Sequence, residues 1–233
     1  MDPFDPSVSL LDEDKRIPQK QEESPAVQDR LAWRVLHASC FLLGGTTFIA
    51  GTACLLVSPT SVSMALSSAT LYIIGSCGFL AVDVLEFFTF TSPHSLRLNI
   101  ASSAVGSSLY VAGSVGFVPL PSTASSAAVA ALGNVGAWGF VLGSAVLAVS
   151  EAAKCARIIS DGSALTPAVL SALCVELGAG LGALSFLVGT GLYMRGQFAG
   201  LTSAVLLIWM IGSIFFTAGG VALAHRHFVL HLS

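Results

Sequence analysis

Four acidic side chains lie within or beside long apolar stretches of this chain: Asp83, Glu86, Glu151 and Glu176. A charged side chain at the centre of a lipid bilayer costs at least ~2.5 kcal/mol even on lenient scales, so an intramembrane carboxylate usually serves a function. At the helical rise per residue, Asp83 and Glu176 both fall about 6–7 Å from the membrane midplane, on the same side. We therefore predict a candidate proton- or cation-binding site at these two acids, with Glu86 at its rim and Glu151 at the end of its own segment.

A structural interpretation of the same acids stays open. Glu86 and Glu151 would reach the membrane interface and pair with Arg97, Lys154 or Arg157. The two deeper carboxyl groups would then remain protonated or bond to neighbouring Ser and Thr hydroxyls.

Three histidines near the C-terminus follow the pattern H-x-H-x3-H: His225, His227 and His231. The last two share a helix face at a spacing that can hold a metal ion. Because Arg226 lies among them, a cationic belt at the membrane interface is the commoner explanation. We predict no catalytic residue, cofactor or metal site, and therefore no enzyme.

Composition identifies the environment of these residues. The 233 residues are 54% hydrophobic and 10% charged, with a mean hydropathy of +0.82, and 12 of the 23 charged residues fall in positions 1–30. Soluble domains carry about 25% charged residues. The residues after position 30 carry too few charges to form the surface of a soluble domain. This excludes a soluble enzyme, a nucleic-acid binder and a disulfide-stapled module.

The apolar residues form six windows long enough to cross a bilayer, which takes about 20 residues each. We predict an all-α, polytopic membrane protein with six transmembrane helices at residues 31–228, preceded by a disordered acidic tail (1–30) and followed by a short tail (229–233). The windows are roughly 33–57, 66–89, 98–118, 127–150, 168–193 and 201–224, separated by short stretches that include 154–167.

Glycine spacing suggests that the windows form three parallel repeats of a helical hairpin, at about 33–91, 98–156 and 168–228. The odd windows share G-x6-G-[ST], which places both glycines on one helix face, and the even windows share two apolar residues followed by Gly-Ser. Small residues let membrane helices approach closely, so we predict helix packing at these positions. They are Gly44, Gly51, Gly106, Gly113, Gly182 and Gly189 in the odd windows, and Gly75, Ser76, Gly143, Ser144, Gly212 and Ser213 in the even ones.

The hairpins resemble the YrhK-like domain, a two-helix membrane module. The third is most similar, through LLIWMIGSIFFTAGGVALAHRHFVLHL over residues 206–232, while the first two match through LYIIGS and GFVLGS. The resemblance covers about 190 residues as three copies and implies a multi-pass membrane protein built from hairpins. It implies no activity, cofactor or catalytic residue.

The basic residues predict orientation and complete the functional hypothesis. In a six-span model, nine of the ten lie on the side of the two termini and only Arg195 lies on the other. Both termini should therefore be cytoplasmic, or on the matrix or stroma side of an organelle. We expect a structural or interaction component of a membrane, with a small-solute or proton-coupled transporter as the alternative. The partners would be the lipid bilayer and either other membrane proteins or a second copy, without nucleic acid.

Overall fold

Six long helices make up the regular structure of the described chain. The computed structural model describes residues 27, 30–91, 93–160, 165–195 and 203–230. Apart from residues 27 and 30, the predicted N-terminal tail lies outside this part of the chain. The helices are α1 (Leu31–Val57), α2 (Val62–Thr89), α3 (His94–Gly116), α4 (Ser126–Ser160), α5 (Pro167–Met194) and α6 (Ser203–Phe228).

Local sequence determines where several helices begin. The Ser61 hydroxyl accepts the Met64 backbone N–H at 3.4 Å before α2, and the Thr166 hydroxyl accepts the Val169 N–H at 3.3 Å before α5. Such side chains satisfy backbone donors that the first helical turn leaves without a partner. Pro167 occupies the first turn of α5, where its missing N–H costs nothing.

The helices form a closed ring in chain order. Each helix packs against the helix before and after it, and α6 packs against α1. Consecutive helices joined by short connections run antiparallel, so the N-terminal ends of α1, α3 and α5 lie at the same end of the ring as the C-terminal ends of α2, α4 and α6. We call this the terminal end, because the chain enters and leaves the ring there.

Five of the described helices are long and apolar enough to cross a membrane, which indicates a membrane protein. The exception is α3, for which we also predicted a span. It has 23 residues, but six are serines and its first turns carry His94, Arg97 and Asn99. Three of the serines, Ser103, Ser107 and Ser114, are buried inside the ring and hydrogen-bonded to other helices, so half of the serine hydroxyls of α3 face the protein interior.

The helix bounds also differ from the predicted windows at α4. This helix continues to Ser160, whereas we expected a connecting stretch from 154 onward. No glycine or proline interrupts the chain between Gly143 and Gly162, so nothing stops the helix at the end of the apolar window. The extension matters because it carries Lys154 and Arg157.

Matching glycines contact matching side chains in the three hairpins. A Cβ at Gly44, Gly106 or Gly182 would meet, respectively, Phe79, Leu147 or Phe216 on the next helix, within 2.7 Å. Each of these partner residues follows its own helix's Gly-Ser glycine by four positions. The missing Cβ atoms therefore let the two helices of each hairpin pack closely through a bulky side chain.

Six aromatic rings fill the middle of the ring of helices, one from each helix. They form what we call the aromatic layer: Phe48, Tyr72, Tyr110, Phe140, Phe186 and Trp209. Neighbouring centroids in this layer lie 4.8–6.5 Å apart. Their polar atoms have partners, since the hydroxyls of Tyr72 and Tyr110 bond to Thr52 and Ser144 at 2.6 and 2.7 Å.

Each member of the aromatic layer precedes a glycine of the repeated patterns by three residues. We did not predict this layer, although the recurring aromatic-x-x-Gly pattern was visible in all six windows. The glycine provides space for an aromatic ring of the adjoining helix: Gly75, Gly143 and Gly212 lie against Phe48, Tyr110 and Phe186. The ring interior is thereby closed by side chains at mid-height.

Candidate functional site: a charged chamber at the terminal end

Charged side chains from three helices converge inside the terminal end of the ring. We call them the inner cluster: Asp83 and Glu86 of α2, Glu151 and Lys154 of α4, and Glu176 of α5. Helical spacing explains the two pairs, because residues three apart lie on one face of a helix. The structure therefore brings together all four acids that we singled out from the sequence.

Lys154 links two of the acids across a helix interface. Its Nζ lies 3.1 Å from Glu151 Oε1 and 3.4 Å from Glu176 Oε2. Ser103 of α3 donates a further hydrogen bond to Glu151 Oε1 at 3.0 Å. The other oxygen, Glu151 Oε2, is buried and has no hydrogen-bond partner in the described part of the chain. A buried oxygen without a partner can accept a proton, or a hydrogen bond from a group that enters the charged chamber, by which we mean the space around the inner cluster.

Asp83 is held by a serine of the next hairpin. The Ser107 hydroxyl donates to Asp83 Oδ2 at 2.5 Å, and the Asp83 residue is only 6% exposed. The structural interpretation included such a hydroxyl contact for this acid. Both groups nevertheless line the same cavity as Glu151, Lys154 and Glu176, so the contact does not remove Asp83 from the cluster.

Glu86 belongs to a chain of hydrogen-bonding groups that we did not predict. Its Oε1 lies 3.1 Å from Nε2 of His37, and Nδ1 of His37 lies 3.0 Å from Nε2 of His227. Trp33 packs on His37 with ring centroids 4.4 Å apart. An ionisable His37 within the first apolar window was a signal for this site that we overlooked.

These contacts correct two of our expectations. Glu86 pairs with His37 rather than with Arg97, whose guanidinium lies 4.6 Å from the centre of the Phe87 ring. Glu151 pairs with Lys154 as the structural interpretation supposed, but at 4% exposure it is buried inside the ring and does not reach an interface.

The predicted histidine belt also differs from the structure. His227 is 2% exposed and bonded to His37, whereas His225 is exposed. His231 lies outside the described residues. Within those residues, no group of three or more His, Cys, Asp or Glu side chains is arranged to hold a metal ion.

Two adjoining cavities lead to the inner cluster. The deeper one has a volume of about 40 Å³ and is lined by the whole cluster together with Ser107 and several apolar side chains. The outer one, which we call the mouth, has a volume of about 210 Å³. Both are lined by Glu86, Lys154 and Glu176, so the acids can be reached from the terminal end.

The opposite end of the ring has a different lining. A pocket of about 80 Å³ lies there, bounded by apolar and aromatic residues with Ser68 as its small polar member. Tyr72 and Trp209 belong both to this pocket and to the aromatic layer. The aromatic layer therefore separates an apolar pocket from the charged chamber.

Comparisons with known proteins add no further constraint. No protein-family model, curated protein or solved structure matches this chain. The resemblance to the YrhK-like module consequently stays a prediction from the residues.

Proposed function

We propose that the six helices all cross the membrane, as three copies of one hairpin with both termini on the same face. Support for six spans comes from the length of α3 and from the burial of three of its six serines, which leaves less of its polarity to face lipid. Support for the repeat comes from the equivalent glycine contacts in the three hairpins. The excess of basic residues at the terminal end favours the cytoplasm, matrix or stroma as its location.

For the activity, we propose a non-enzymatic carrier that moves a small solute together with a proton or cation bound by the inner cluster. The observation that carries this proposal is the cavity lined by four carboxyl groups, two of them buried (Asp83 and Glu151) and two half-buried, whose basic partners are Lys154 and His37. Burying excess negative charge is very costly unless protons or cations neutralise it. A coupled carrier needs a binding site for a proton or cation that can be reached from one face of the membrane. The inner cluster favours the binding of positive charge and lines a cavity at one end of the ring.

The aromatic layer supplies the second requirement, a barrier. With Phe48 and Tyr110 both 0% exposed and Phe186 1% exposed, this layer leaves no open passage along the ring axis. A carrier differs from an open pore because its binding site communicates with one face at a time. We propose that the structure represents the state open to the terminal end, and that the layer must part during transport.

The proposal is tested by reconstituting the full chain into liposomes that contain a pH-sensitive dye. Solute-dependent proton uptake is expected in the wild type, and its loss in Asp83→Asn and Glu176→Gln. Ser107 and Ser108 offer a matched pair of control variants, since Ser107 bonds to Asp83 whereas Ser108 is exposed and bonds to its own helix backbone. Ser107→Ala should alter the pH dependence of flux, and Ser108→Ala should not. Unchanged flux in both acid variants would refute the coupling role.

A second candidate is a structural or interaction component of the membrane, bound to other membrane proteins or to a second copy. The observation that favours it is the close packing of the aromatic layer, which resembles a static core. This candidate predicts that the reconstituted protein is silent with every solute tested. It also predicts that a partner or a second copy is cross-linked to it in native membranes.

A further inference from the structure

The mouth contains a positive group that the inner cluster does not use. Arg157 lies one helical turn beyond Lys154 on α4 and lines the mouth. Among the described residues, its buried Nη1 has no hydrogen-bond acceptor and its guanidinium has no carboxylate within ion-pair distance. A guanidinium stays charged at any physiological pH, so a buried donor on it is costly until an acceptor arrives.

The other charges facing the mouth are already engaged with one another. Glu176 is paired with Lys154, and Glu86 is bonded to His37. His227 is bonded to His37 from α6. Arg226 adds a second guanidinium to the same wall. Because the acids of the mouth have basic partners, the positive charge of Arg157 remains available to a ligand.

The rest of the lining indicates the shape of that ligand. Apolar and aromatic side chains form much of the wall: Phe90, Leu96, Ile100, Ile158, Val175 and Leu223. A volume of about 210 Å³ accepts a molecule of a few carbon atoms with some water. A planar acceptor suits the fork of an arginine, and an apolar tail suits this wall.

We infer that the mouth is a binding site for a short-chain monocarboxylate, with Arg157 as the residue that binds its carboxylate. The inference names the solute class of the carrier proposed above and rests on that proposal for the transport step alone. Inorganic anions would satisfy the guanidinium but would leave the apolar wall exposed to water. Neutral amides would contact the wall but would not compensate the charge.

Equilibrium binding to the full chain in lipid nanodiscs tests the inference without transport. The probe is sodium butyrate at constant ionic strength, compared with butyramide, sodium chloride and tetramethylammonium. Trp33 lines the mouth and packs on His37, so its fluorescence reports occupancy, with Trp33→Phe identifying the signal. We expect saturable binding of butyrate and none of the other three.

Variants at two arginines identify the residue responsible. Arg157→Gln should weaken butyrate binding about tenfold or more, because it removes a charge-assisted contact. Arg157→Lys, which keeps the charge but loses the fork, should have an intermediate affinity. Arg195→Gln is the matched control, since Arg195 is exposed at the other end of the ring and should bind as the wild type does.

Four outcomes of these binding measurements would overturn the inference. Equal binding of butyramide would show that charge is not recognised, and equal binding of chloride would show that the apolar wall is not used. Binding of tetramethylammonium instead of butyrate would reverse the ligand class. Wild-type affinity in a folded Arg157→Gln protein would exclude this residue. Butyrate binding without proton uptake would instead refute the carrier and leave the site standing.

Discussion

The two halves of the ring interior are built on the same helices but differ in what fills them. At the terminal end, cavities of about 210 and 40 Å³ lead to four carboxyl groups and a lysine. Beyond them, six aromatic rings pack with neighbouring centroids 4.8–6.5 Å apart. The two halves therefore differ in role. Close packing of the aromatic layer holds the helices together, whereas the cavities of the terminal end have room for water, ions or a solute.

The three hairpins differ at one matching position of their sequences. Eight residues beyond the Gly-Ser glycine, the even helices carry Asp83, Glu151 and Gly220. The third hairpin thus contributes no acid at this position, and Gly220 packs against Phe41 and Leu42 of α1 instead. At this matching position, therefore, the first two hairpins carry an acid and the third has close helix packing, while the acid of the third hairpin, Glu176, comes from α5.

The largest effect should come from removing the lysine of the charged half. Lys154→Met leaves the buried Glu151 and the half-buried Glu176 without their shared cation, which should cost about 3 kcal/mol of stability at neutral pH. Lowering the pH should restore stability, because protonated carboxyl groups no longer repel each other. Unfolding in mixed detergent micelles measures both effects.

Neutralising the two acids provides the control for that variant. The triple variant with Glu151→Gln and Glu176→Gln should recover most of the lost stability, since no unpaired charge remains. If Lys154→Met alone is as stable as the wild type, Lys154 is not the group that holds this cluster together.

Truncating a ring of the aromatic layer should have the next largest effect. Phe186→Ala should cost about 3 kcal/mol, at the lower end of the range for buried aromatic residues because lipid weakens the hydrophobic component of the loss. Phe88→Ala is the matched control, since Phe88 is 76% exposed on the outside of the ring and its loss should be nearly neutral. Equal stability of the two variants would mean that the layer does not hold the helices together.

Backbone contacts between helices predict a smaller effect. A Cβ at Gly178 would lie 2.8 Å from the Cα of Gly219, so Gly178→Ala should force α5 and α6 apart at a cost of about 1–3 kcal/mol. Gly191 on the same helix has no atom within 4 Å of that position, and Gly191→Ala should be neutral or slightly stabilising. Thermal unfolding in detergent distinguishes the pair, and a reversed order would contradict the helix packing described above.

The smallest effect should come from a hydroxyl within the aromatic layer. Tyr72→Phe removes the hydrogen bond to Thr52 but keeps the ring, so about 0.5–1.5 kcal/mol should be lost. Thr52 keeps its bond to the Phe48 carbonyl oxygen, which limits the cost. Tyr193→Phe, at a half-buried position near the end of α5, should change stability less. A larger loss at Tyr193 than at Tyr72 would show that the hydroxyl bond is not the stabilising contact.

Sequence patterns were informative about elements and less so about their partners. The helices follow from apolar runs of sufficient length, and counting residues along them predicted that Asp83 and Glu176 lie toward the same end of the ring. The partners of those acids did not follow, because Ser107 and Lys154 belong to other helices and no pairing of helices can be inferred from the length of an apolar run. The predicted end of α4 was wrong for a related reason. The apolar window reports only how far the residues are hydrophobic, whereas the helix continues as long as its backbone hydrogen bonds do.

The amino-acid sequence by itself determined that this chain is helical, suited to a membrane and equipped with four acids near one side, because composition and residue spacing act within a single helix. Only the tertiary structure decided that the ring closes between α1 and α6, and that His37 and His227 join Glu86 there. It also decided that the six side chains of the aromatic layer meet in the middle of the helix ring. These contacts join residues as far as 190 positions apart in the chain, and the geometry of helix packing that brings them together is not contained in any one segment.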